Sequence, residues 1–156
     1  MLFEEHVYKF MFAALQEAET ALLSNEVPVG AIIVHENKII GKGYNLTETL
    51  KDPTAHAEMV AITAAANHLQ SKFLDQCDLY VTVEPCVMCA GAILLSRIRN
   101  VYFGCYEPKF GAGGSLFNII ESKLYNHKPD VYSGIYSDES KALLEKFFQQ
   151  KRTAQN

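Results

Sequence analysis

Cys86 and Cys89 stand three apart directly after Pro85, and His56 and Glu58 stand two apart thirty positions earlier. A chain that uses these four side chains together must bring two distant helix starts side by side, and this requirement constrains the fold more than any other feature. Residues three apart on a helix share a face, so Cys86 and Cys89 reach one metal ion while Ala90 and Ile93 point toward a core. Pro85 suits the first position of that helix, which runs to about Ser96. The thiols then sit at the positive end of the helix dipole, where the coordinating thiolate is favoured. His56 and Glu58 would point about 200° apart on a regular helix, so both face one metal only if His56 lies at or just before the first regular turn. Thr54, two residues earlier, is read as the N-cap of an Ala-rich helix reaching about Leu69.

The remaining periodicities supply the layers around these helix starts. Val7, Met11, Ala14, Leu15, Ala18 and Leu22 recur at helical spacing, predicting an amphipathic helix over about residues 4–24. Val27 to His35 and Lys38 to Tyr44 read as a hairpin of two strands around Glu36-Asn37, expected in a sheet centre. Asn45 to Pro53 reads as a loop. Leu79, Val81 and Val83 alternate with Tyr80, Thr82 and Glu84 as a strand, Val101 to Gly104 is a short strand, and Val131 to Tyr136 is expected to be the last. Gly111-Ala112-Gly113-Gly114-Ser115 lacks the Gly-Lys-Ser/Thr ending of a phosphate-binding loop and is read as a flexible loop. Ser137-Asp138-Glu139 has the cap and acidic first turn of a final helix presenting Leu143, Leu144, Phe147 and Phe148. The order of elements implies an α/β fold of three layers, α/β/α, in which helices cover both faces of a central mixed sheet of about five strands.

The length of 156 residues fits a single domain over 1–156, and no linker or shift in composition divides it. No basic, apolar leader opens the chain and no apolar run spans a membrane, so a cytoplasmic protein without a membrane partner is expected. In a reducing compartment four cysteines are thiols or ligands, and Cys77 and Cys105, each alone, read as packing residues. The net charge of −4 argues against a general nucleic-acid binder. Its distribution is uneven, because residues 141–156 carry Lys141, Lys146, Lys151 and Arg152 against Glu145 alone.

A lone Cys-x-x-Cys serves redox motifs and structural zinc sites as well as catalysis, and a lone His is usually an ordinary hydrogen-bonded residue. Joined as His-x-Glu and then Pro-Cys-x-x-Cys, each at a helix start, they are similar to the signature of zinc-dependent nucleobase deaminases. Three protein ligands, His56, Cys86 and Cys89, leave a fourth tetrahedral position open for water, as in a catalytic site. Glu58, near the metal but not on it, is the expected general acid/base. A thioredoxin-like use of Cys86 and Cys89 would not need His56-Ala57-Glu58, and a structural zinc site would need a fourth ligand such as Cys77 or Cys105.

Further phrases carry a narrower likeness: Glu26-Val27-Pro28-Val29-Gly30-Ala31, Asp52-Pro53-Thr54-Ala55-His56-Ala57-Glu58, Leu79 to Ala92, Ser96-Arg97-Ile98 and Gly111 to Leu116. Over about residues 26–150 the chain resembles the bacterial tRNA-specific adenosine deaminases of the cytidine/deoxycytidylate deaminase superfamily, which make inosine at the wobble position. The resemblance implies a cytidine-deaminase-like fold, one Zn2+ per subunit, a homodimer and an anticodon stem-loop of tRNA as partner. It implies that Asn45 hydrogen-bonds the flipped adenine and that Ala57 lines the pocket through its backbone. Glu107 and Lys109 would lie on an RNA-contacting loop, with Phe148 near the RNA. Asn45 reads equally as a turn residue, and Phe147 and Phe148 equally as a core-facing stripe. Glu107 stands where many members carry Asp, Tyr44 where some carry Trp, and Leu46 where others carry Arg. Two other functions remain open at this point: a free-base deaminase for guanine or cytosine, and a zinc-binding module without activity.

Overall fold

The computed structural model describes residues 2–156. In chain order the elements are α1 (Glu5–Leu23), β1 (Gly30–His35), β2 (Lys38–Tyr44), α2 (Thr47–Leu50), α3 (Ala57–Leu69), β3 (Cys77–Val83), α4 (Val87–Leu95), β4 (Asn100–Cys105), β5 (Asp130–Tyr132) and α5 (Ser137–Ala154). The strands form one mixed sheet in the order β2-β1-β3-β4-β5. β1 pairs antiparallel with β2 and β3, whereas β3, β4 and β5 run parallel.

Alternation along the inner strands assigns each residue to a layer. Ala31, Ile33, Leu79 and Val81 join a core with Ala57, Ala61 and Ala65 of α3 and Ala90 and Ile93 of α4. Ile32, Val34 and Tyr80 face the other way, onto Val7, Phe10, Met11 and Ala14 of α1, beside which α5 packs. Strands buried on both faces read as nearly unbroken apolar runs, which is why β1 shows no polar alternation. The expected mixed five-stranded sheet between helical layers is the observed architecture.

Gly41 and Gly43 decide how closely α3 can lie on β2. A Cβ at Gly43 would overlap the carbonyl of Ala57, and one at Gly41 would overlap that of Ala61. Ala57, Ala61 and Ala65 present only methyl groups to the strand, and all three are buried. Small residues on both elements thus bring the backbone of α3 against the sheet and fix where its first turn, with Glu58, comes to rest.

Several expected boundaries move, each for a local reason. The hairpin is not central as a whole, since β2 is an edge strand and only β1 lies inside. Glu36 and Asn37 both take positive φ, 49° and 61°, as a two-residue hairpin turn requires. β1 begins at Gly30 rather than Val27, because Pro28 has no N–H for the ladder. The short helix α2 interrupts the expected 45–53 loop. Thr54 does not cap α3; its N–H and Oγ1 both donate to Asp52 Oδ1, and His56 occupies the N-cap position. Pro85 likewise precedes α4, whose N-cap position is Cys86. β5 stops at Tyr132, short of Tyr136, and Gly134 at φ 89° turns the chain into α5. Ser137 is already helical, with Tyr136 in the N-cap position.

Candidate active site

The N-termini of α3 and α4 meet at the same end of the sheet, and each contributes its N-cap residue. His56 and Cys86 both have extended backbone, with φ −74° and −77°, so neither side chain follows helical phase. This resolves the angular problem of His56 and Glu58: the histidine lies before the first turn and the glutamate within it. His56 Nδ1 lies 3.6 Å from Cys86 Sγ and 3.6 Å from Cys89 Sγ. The three donor atoms all fall within 4.8 Å of one another.

These distances test whether the donor set fits zinc. With Zn–S near 2.3 Å and Zn–N near 2.05 Å, a tetrahedral angle places N and S about 3.6 Å apart. Both nitrogen–sulfur separations meet that value, and two thiols with one imidazole are a donor set suited to zinc. Cys77 and Cys105 are buried elsewhere and do not join the group, so no fourth cysteine closes it.

Electrostatics within the cluster divide the two thiols, favouring the thiolate at Cys86 and the protonated form at Cys89. The Cys86 thiol is held down to about 4 by the hydrogen bond from Cys89, with His56 adding to the effect. Cys89 is pushed up by that same hydrogen bond, by burial and by the nearby Glu58. His56 is raised, chiefly through its hydrogen bond with Cys86. Glu58 is 4% exposed, and burial raises its carboxyl above the ordinary range. A carboxyl so buried keeps its proton to higher pH than an exposed one.

Above these groups opens a cavity of about 500 Å³. His56, Ala57, Glu58 and Cys86 line it together with the apolar Val27, Val29 and Val83. Asn45 and Thr47 also line it; Asn45 Oδ1 accepts the Thr47 N–H at 3.1 Å, and among the described residues no hydrogen bond engages the Asn45 amide NH₂. Glu107, Phe110 and Phe148 also line the cavity, as does Glu84. Of the two adjacent phenylalanines, Phe147 is 6% exposed and belongs to the core, whereas Phe148 is 47% exposed at the cavity. Lys109 is exposed on the same loop as Glu107 but does not line the cavity, and its own N–H donates to Glu107 Oε1.

Two buried carboxylates absent from the sequence-based site hold the walls in place. Glu26, fully buried, accepts the N–H groups of Glu48 and Thr49 and so anchors α2 beside Asn45. Glu84, 3% exposed, accepts from the backbone of Glu107, Gly113 and Ser115 and from the Ser115 hydroxyl. The 111–115 segment expected to be flexible is therefore folded around a carboxylate. Glu84 directly follows β3, a strand with neighbours on both sides, and its loop partners lie far along the chain, so no local signal marked it. Polar residues there must find partners, as Thr82 does by accepting the Gly30 N–H.

Residues 4–105 match the family described as the cytidine and deoxycytidylate deaminase zinc-binding region. The chain is 49% identical over 144 residues to a tRNA-specific adenosine deaminase of Aquifex aeolicus, covering 92% of this chain and 94% of that protein. It is 42% identical over 143 residues to one of Bacillus subtilis, covering 92% and 89%. A solved structure from studies of A-to-I editing by tRNA:A34 deaminases at the wobble position of transfer RNA superposes with a TM-score of 0.84 at 44% identity. It covers 87% of this chain and 99% of that one.

Proposed function

The chain belongs to the zinc-binding cytidine and deoxycytidylate deaminase family, on the branch of the tRNA-specific adenosine deaminases, and we propose that it hydrolyses adenosine 34 of tRNA to inosine. The observation that carries the chemistry is the convergence of His56, Cys86 and Cys89 at zinc-ligand spacing beside the buried Glu58. The substrate assignment is supported by relatives at 42–49% identity over nine-tenths of the chain, which also disfavours the guanine or cytosine alternative.

In this mechanism His56, Cys86 and Cys89 would hold one zinc ion per subunit. Bound there, zinc would supply the Lewis acidity that makes a water nucleophile available at neutral pH. Glu58 accepts the proton that water loses, delivers it to the ring nitrogen, and helps protonate the departing amine. The balance is adenosine plus water giving inosine plus ammonia, with the ring carbon exchanging its amino group for oxygen. Asn45 donates its free amide N–H to an acceptor on the base, and the backbone of Ala57 lines the cavity. Val27, Val29 and Val83 exclude solvent from the flipped base. Glu107 and Lys109 meet the RNA on the rim, where Phe148 offers a stacking surface.

Lys141 and Arg152 lie seven residues before and four after Phe148 on α5, and so share its face, with Glu145 the acidic residue beside them. This supports a nucleic-acid substrate despite the negative total. On α4, Val87 and Leu95 are 49% and 80% exposed and stand with Gly91 at four-residue spacing. That apolar stripe supports a homodimer, each copy a single deaminase domain; one copy at all concentrations in light scattering would remove it. Among the described residues no helix is long and apolar enough to cross a membrane. The unpaired thiols at the site suit the reducing cytoplasm.

The test is a panel of substrates presented to zinc-loaded protein: an anticodon stem-loop carrying adenosine 34, free adenosine, guanine and cytosine. Inosine is expected in the stem-loop alone, at a rate that falls steeply with salt. Rapid ammonia release from a free base, with no inosine in RNA, would overturn the assignment.

A further inference from the structure

The segment 106–117 forms the cavity rim with Glu107 and Phe110, and what shapes it is an anion inside the protein. Glu84 follows the last residue of β3, and its own N–H donates to Cys105 O at 2.9 Å. Its Oε1 accepts the Glu107 N–H at 2.9 Å and the Ser115 hydroxyl, and its Oε2 accepts the Gly113 and Ser115 N–H groups, each at 2.9 Å. Every donor comes from this one segment. Among the described residues no lysine or arginine pairs with the carboxylate. Three backbone N–H groups and a hydroxyl turned inward thus hold a negative charge that is a side chain of the same chain.

The packing leaves no slack around that carboxylate. A Cβ at Gly111 would overlap the Glu84 carboxyl group. The Ala112 N–H donates to Pro85 O at 2.8 Å, and Gly111 forms a bridge with Cys86. Within the segment, the N–H groups of Leu116 and Phe117 close onto Gly111 O at 3.2 and 3.1 Å. The rim is thus folded around Glu84 and laid along the turn that leads into α4.

We infer that Glu84 is a positioning residue for substrate: an internal anion that holds the 106–117 segment in the shape presenting Glu107 and Phe110 to the RNA. This rests on the tRNA deaminase reading. Its role is distinct from that of Glu58, because all its accepting positions are directed to the loop. Loss of the carboxylate therefore weakens substrate binding while leaving the metal donors and the proton shuttle in place.

Glu84→Gln keeps the size but sets an NH₂ group against N–H donors. Three quantities are read on the zinc-loaded protein: amide hydrogen exchange over 106–117, zinc per chain, and KM and kcat on the stem-loop. Losing about two charge-assisted hydrogen bonds is expected to speed exchange at Glu107, Gly113 and Ser115 by roughly 10²–10⁴-fold and to raise KM by at least roughly tenfold. Zinc content and kcat are expected to stay near those of the unsubstituted protein. Ser115→Ala removes one hydroxyl donor and is expected to shift the same quantities less, which keeps a readout if Glu84→Gln does not fold. Unchanged exchange would overturn the inference, as would loss of zinc with the loop or a fall in kcat at constant KM. The exchange measurement needs no RNA, so failure of the loop assignment and failure of the RNA assignment give different results.

Discussion

Substituting Gly43 by alanine tests how the sheet positions the site without touching any reacting group. The added methyl would overlap the Ala57 carbonyl and press on the Ala61 N–H, both backbone atoms of α3 that cannot rotate aside. To restore ordinary contact the first turn of α3 must retreat by about 1 Å, taking His56 and Glu58 with it, and misplacement of that size can cost about 100-fold in rate. Overpacking against backbone belongs at the upper end of its usual range, about 3 kcal/mol. For a chain of this size that lowers the melting midpoint by about 6–12 °C. Thermal unfolding and kcat/KM on the stem-loop read the two effects separately. Lys42→Ala, an exposed neighbour on the same strand, serves as control and should stay within about 0.5 kcal/mol. If Gly43→Ala melts with the unsubstituted protein and keeps its kcat/KM, the close approach of β2 and α3 does not position the site.

Burial would raise the Glu26 carboxyl, but the hydrogen bonds from Thr49 and Glu48 outweigh it, and the net shift is below its ordinary value of 4.5. A depressed value means that Glu26 contributes stability above about pH 4.5 and loses that contribution as pH falls through its folded value. Urea midpoints measured from pH 7 to 3 should therefore drop less steeply in Glu26→Gln than in the unsubstituted protein, and parallel curves would contradict this. Phe147→Ala should cost about 3–5 kcal/mol from the core. Phe148→Ala should leave stability within about 0.5 kcal/mol yet raise KM for the stem-loop about tenfold by losing a stacking surface. Equal destabilisation of the two variants would place both rings in the core.

What could be read from the sequence was the part fixed by local pattern. The alternation of Leu79, Val81 and Val83 with Tyr80 and Thr82, the Glu36-Asn37 turn and the His-x-Glu and Cys-x-x-Cys spacings each depend on neighbours a few residues away. Helix starts were visible but misplaced by two residues, because Thr54 bonds Asp52 instead of capping and because extended residues precede both helices. Glu84 and Glu26 were illegible because their partners lie 22–31 residues along the chain. The Gly111–Ser115 segment looked flexible for the same reason: its order comes from a carboxylate that local sequence does not reveal. The two phenylalanines of α5 show the limit of periodicity, since adjacent rings divide between core and cavity by about one step of helical rotation.

The central claim is that Glu58 moves the proton while His56, Cys86 and Cys89 hold the metal. Zinc per chain and inosine formation in an anticodon stem-loop, measured together on Glu58→Ala, test it most directly. The variant is expected to retain one zinc per chain and to lose deamination by about 10²–10⁴-fold or more. A Glu58→Ala protein that keeps its zinc and still forms inosine at the unsubstituted rate would contradict it.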